Sequence, residues 1–119
     1  MKILWNVVII LSGLTELMAA VTLIGGPGGI SAAGSGNMWS MHYGFAALAI
    51  ASLSIWIWPR RDQVEAIAVA LGILITFHTG LLISLTLAGD QPVGMILHGV
   101  LAVLSLVVFF NRKGLSEAG

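Results

Sequence analysis

Cysteine is absent from the 119-residue chain, which removes disulfide frameworks, thiolate metal sites and cysteine nucleophiles at once. Charge is nearly as scarce. Only 8% of the residues are Asp, Glu, Lys or Arg, against about 25% in a soluble globular domain, so water is the wrong solvent for this composition. Five basic residues balance five acidic ones. No basic surplus is left to neutralise phosphates, and nucleic acid is excluded as a partner. There is no His-Glu-x-x-His run, no serine–lysine or serine–histidine motif and no carboxylate pair. Nothing therefore names a reaction, and the expectation is that the chain is not a self-sufficient enzyme.

What is present is apolar, 58% of the residues by a broad count, and it falls into four runs: about 3–24, 39–58, 64–88 and 93–110. Each is close to the ~20 residues that cross ~30 Å of hydrocarbon at ~1.5 Å per residue. No period-2 alternation runs through them, and helices alone satisfy a spanning backbone without closing a barrel. The expected fold is an all-α integral membrane protein, a four-transmembrane-helix bundle forming one membrane domain over 1–119. The punctuation agrees with it. A glycine-rich outer loop covers 25–38, Pro59-Arg60-Arg61-Asp62 opens the inner loop 59–63, and Gly89-Asp90-Gln91-Pro92 makes a tight outer turn. Asp90 reads as a cap for the fourth helix, with Pro92 in its first turn, and Glu65 suits the positive end of the third. The glycine-rich loop has no lysine and no preceding strand, so it is not a phosphate cradle.

Charge orients the bundle. Lys2, Arg60, Arg61, Arg112 and Lys113 all fall on one side of a four-span arrangement, and the opposite loops carry no basic residue. The positive-inside rule then makes both termini cytoplasmic, N-in and C-in, with a bacterial plasma membrane as the default location. Trp5, Trp56 and Trp58 lie near the inner interface and Trp39 and Tyr43 near the outer one, as an aromatic belt requires. Arg60, Arg61, Arg112 and Lys113 are topology signals first and lipid-headgroup contacts second. The first span is read as retained rather than cleaved: it is long for a signal peptide, Glu16 interrupts it, and Met18 is a poor occupant of the small-residue position before Ala20.

Ionisable groups inside a membrane cost roughly 2.5–3.5 kcal/mol at mid-helix on insertion scales, so their placement carries information. Each span contributes one: Glu16, His42, His78 and His98. At ~1.5 Å per residue, Glu16 lies about 12 Å and His78 about 14 Å below the outer ends of their spans, His98 about 8–9 Å, and His42 about one turn. All four fall in the outer half. Glu16 shares a face with Ser12, Gly13, Ala19 and Ala20, His98 with Gly94, Ala102 and Ser105, and His42 with Ala46 and Ala49. These small residues suit close helix contact, so the three are expected to point inward. His78 shares its face with Leu71, Leu74, Ile75, Leu81 and Leu82, while Gly72, Thr76, Thr79 and Gly80 form the small face, which leaves lipid or another subunit as its surroundings.

A carboxylate with two or three imidazoles suits a transition metal, and the same groups can carry a proton beside a quinone headgroup. The candidate metal ligands are Glu16, His78 and His98, with Met18, Met41 and Met95, and Met38 beside them, as soft thioether donors for copper(I). A haem held by His78 and His98 would need the two at nearly equal depth. The bland alternatives are a histidine bonded to a serine or carbonyl on a neighbouring helix, and methionines that merely fill space.

The size, the four spans and Glu16 in the first of them resemble the small multidrug resistance transporters in plan. That resemblance implies a proton-coupled exporter acting as a homodimer, with Glu16 as its exchangeable carboxylate. The residues around Glu16 depart from that family's pattern, spans two and three lack its mid-span aromatic lining, and the three histidines are foreign to it. A general likeness to small four-helix membrane proteins of the DoxX type, linked with quinone or redox functions, rests on no motif. The leading expectation is a small accessory subunit of a larger membrane complex, in contact with other membrane subunits or a second copy and with the lipid bilayer. Its outer-half Glu–His site would handle a metal, quinone or proton.

Overall fold

A computed structural model describes residues 1–32, 39–89 and 91–115. Among these, the chain is all-α. Four helices are long and apolar enough to cross a membrane: α1 (Lys2–Gly25), α2 (Trp39–Ile57), α3 (Val64–Ala88) and α4 (Pro92–Phe110). Short 3-10 turns follow the glycines of the first loop (Ile30–Ala32), continue α2 (Trp58–Arg60) and follow α4 (Arg112–Leu115). Met38 and Asp90 lie outside the described residues, as do 33–38 and 116–119.

The helix ends have local causes. Gly89 stops α3 in a left-handed conformation (φ 71°), and its N–H caps the Leu85 carbonyl. Only glycine adopts that geometry without strain. Pro92 then opens α4 at a position where its missing N–H costs nothing. The residue in the N-cap position is Gln91, which makes no side-chain cap, and the role expected of Asp90 lies outside the described residues. Glu65 stands in the first turn of α3, where the helix end favours a negative charge.

Contacts divide the chain into two compact units, one made of 1–9 with 57–119 and the other of 10–56. In the first, α3 and α4 form a hairpin packed along its length, and the turn after α4 packs back against α3. Trp5, Val8 and Ile9 are buried, and the Trp5 indole N–H donates to the Arg61 carbonyl at 3.1 Å. Lys2 pairs with Asp62 at 3.6 Å across this same end. In the second unit, Gly44 of α2 lies against Leu23 and Ile24 of α1, and Gly13 lies against Ser54.

α3 presents the opposite face from the one its sequence suggests. The buried residues of α3 are Ile67, Ala70, Leu71, Leu74, His78 and Leu81, so the leucine face is the inner one. The small and hydroxylated face is the outer one, with Thr76, Thr79 and Gly80 exposed. Thr76 and Thr86 each donate to a carbonyl four residues back, Gly72 at 2.9 Å and Leu82 at 2.6 Å. A hydroxyl satisfied within its own helix has no need of a neighbour.

Candidate metal centre

The hairpin turn between α3 and α4 sets two histidines opposite each other. His78 lies ten residues before the end of α3 and His98 six residues into α4. The ~1.5 Å rise leaves them a few ångströms apart in height, which their side chains span. Both imidazoles are buried, and their Nδ1 atoms face at 3.0 Å. The ring centroids are 5.2 Å apart and the planes tilted by 32°. Phe77 turns its ring edge-on to both, at 5.6 Å from His78 and 6.5 Å from His98. Leu74, Leu81 and Leu101, also buried, are the neighbouring core residues on the two helices.

Two facing Nδ1 atoms can do one of two things. Without an ion, one ring must carry its proton on Nδ1 and donate while the other accepts, so the two rings hold opposite tautomers. With an ion, both Nδ1 atoms are bare and both are ligands. An ion ~2.0–2.1 Å from each nitrogen would subtend an angle of roughly 90–95° at the observed separation, and reaching the tetrahedral value needs the nitrogens to part by about 0.3–0.4 Å. The pair is thus close to a chelate as it stands.

On α1, Glu16 is fully buried, and Ser12 and Ala20 are buried on the same face. Among the described residues, Glu16, His78 and His98 are a group of side chains that could hold a metal ion, and all three are buried. One carboxylate oxygen and two imidazole nitrogens form a borderline-hard donor set, suited to zinc or ferrous iron more than to copper(I).

The other sequence candidates fall elsewhere. His42 is exposed, as are Ala46 and Ala49, so the face expected to point inward points outward; α2 buries Gly44, Ala47 and Ala51 instead. His42 rests edge-on against the Trp39 ring at 6.2 Å. Its place in the first turn of the helix gives it an end to sit at rather than a core to enter. Met18 is 71% exposed, Met41 is half-buried, and Met95 lines an apolar groove of about 480 Å³ with Leu82, Ile96, Gly99 and Val103. Arg60, Arg61, Arg112 and Lys113 belong to the turns that follow α2 and α4. Phe77 is the residue that sequence reasoning missed, and its only cue is its place next to His78.

No family model matches the chain, and no curated protein and no solved structure matches it.

Proposed function

We propose that this chain is a small integral membrane subunit that holds one divalent transition-metal ion through Glu16, His78 and His98, as part of a larger membrane complex. The observation that carries the reading is the buried His78–His98 pair, with Nδ1 atoms 3.0 Å apart in apolar surroundings. Buried polar groups in a membrane are expensive, and two imidazoles with a carboxylate are expensive together unless a cation offsets them. A bare ion fits the pair better than a haem. Two trans haem ligands stand about 4 Å apart with the porphyrin plane between them, and facing nitrogens at 3.0 Å leave no room for it. A quinone headgroup beside the same three residues is the second reading; the α3–α4 groove and the α1–α2 groove beside Gly13 and Ser54 are lined by other residues. The loop charges support cytoplasmic termini, and a bacterial plasma membrane is taken as the default location.

The test is purification of the full chain in mild non-ionic detergent, followed by intact-complex mass, metal analysis and a visible scan on one sample. About one transition-metal ion per chain is expected. Glu16→Gln and His98→Gln should each remove most of it while the helical circular dichroism is unchanged. A metal content that the two variants leave intact would overturn the reading. A metal-free, colourless homodimer would move it to the proton-coupled transporter, with Glu16 as the group to titrate.

A further inference from the structure

Two arginines at one end of the α3–α4 hairpin are held by the same device. Trp58-Pro59-Arg60-Arg61 closes α2, and Phe109-Phe110-Asn111-Arg112 closes α4. In each, an aromatic residue stands three positions before an arginine. The Arg61 guanidinium lies 4.7 Å from the Trp58 ring centroid and donates from Nη1 to the Trp58 carbonyl at 2.8 Å. The Arg112 guanidinium lies 4.2 Å from the Phe109 ring centroid and donates from Nη1 to the Phe109 carbonyl at 2.6 Å. Each therefore caps a helix end and stacks on a ring in one stroke.

Both guanidiniums are fixed without a counter-charge. Among the described residues neither has a carboxylate partner, and the nearby Asp62 is taken by Lys2. A guanidinium carries five N–H donors, and the carbonyl contact uses only one of them. The rest keep the fork geometry that matches two oxygens of a phosphate. Since stacking already restricts the side chains, little freedom remains to be lost on binding. Arg61 precedes α3, and Arg112 lies in the turn that packs back against α3, so the two belong to the same end of the α3–α4 hairpin. That end is also tied down by the Trp5 indole on the Arg61 carbonyl. Both arginines are half-buried, whereas Trp58 and Phe110 of the same unit are exposed and aromatic.

We propose that Arg61 and Arg112 form a preset site for the phosphate of an anionic phospholipid headgroup. The forks take the phosphate oxygens, and the exposed aromatic flank takes the start of the acyl chains. The site is independent of the metal centre. A lipid is favoured over a soluble phosphate because both arginines lie where the apolar spans end.

The full chain in mild detergent is offered equal amounts of phosphatidylglycerol and phosphatidylcholine, and the retained lipid is counted by native mass spectrometry. Two guanidinium forks preset on one headgroup should give a preference of at least about five-fold for phosphatidylglycerol. R61Q/R112Q should abolish it. R61K/R112K, which keeps the charge and loses the fork, should keep less than half. R60Q, one charge removed at an exposed neighbour, should leave it close to the parent value, and equal melting temperatures show that all variants fold. A preference that survives in R61Q/R112Q, or that R60Q reduces as much, overturns the site in favour of diffuse charge. Displacement of phosphatidylglycerol by millimolar inorganic phosphate overturns the lipid and leaves a free-phosphate site.

Discussion

The α1–α2 contact and the α3–α4 contact use glycine for different purposes. In the first, a methyl group at Gly44 would stand 2.6 Å from Ile24 Cγ1 and 3.2 Å from the Ile24 backbone nitrogen. There the missing side chain lets two backbones approach. In the second, a methyl group at Gly94 would stand 3.2 Å from Leu85 Cδ1, and one at Gly99 would stand 3.6 Å from Leu82 Cδ1. There the missing side chain makes room for the tip of a leucine. In a bilayer, where apolar burial adds little between helices, close packing of this kind is the main attraction. A backbone contact cannot yield to an added methyl, whereas a leucine tip can. The two contacts should therefore differ sharply in tolerance.

Thermal unfolding in detergent tests this difference. Gly44→Ala forces the helices apart and should cost about 1–3 kcal/mol, the usual penalty for overpacking. A neutral result there would show that the α1–α2 contact is looser than its geometry. Ser105→Ala should come next, with the opposite sign. Its hydroxyl is fully buried on α4 with no hydrogen-bond partner among the described residues, so its removal should stabilise by up to about 1 kcal/mol. A loss of stability would mean that the hydroxyl holds a water molecule. Gly99→Ala, facing only leucine methyls at van der Waals distance, should lie within about 0.5 kcal/mol of the parent. An effect as large as that of Gly44→Ala would remove the distinction between the two pairs.

The helices were legible in the sequence, because their cause is one-dimensional: run length, proline and glycine at the ends, and charge that, Glu16 apart, is confined to turns and helix ends. Val64–Ala88 coincides with the third apolar run, and the fourth begins one residue early only because Pro92 fits the first turn. Facing was less legible. Small-residue faces guided Glu16 and His98 to buried positions, but the same cue failed for His78 and for His42. On α3 it failed because the threonine hydroxyls bond within their own helix, which frees that face to turn outward. On α2 it failed because alanine occurs on both faces, exposed at Ala46 and Ala49 and buried at Ala47 and Ala51. The aromatic–arginine pairs were legible only as charge. Their stacking depends on the chain turning into 3-10 geometry just past each helix, and no periodicity records that turn.

The short connection between α3 and α4 also fixes an order of events. His78 and His98 are 20 positions apart and meet within a single hairpin, a contact whose closure entropy is small and whose formation is fast. Glu16 comes from the first helix, much earlier in the chain. On the proposed metal reading, the two imidazoles would be in place as soon as the hairpin closes, whereas Glu16 would have to be supplied by a helix distant in sequence.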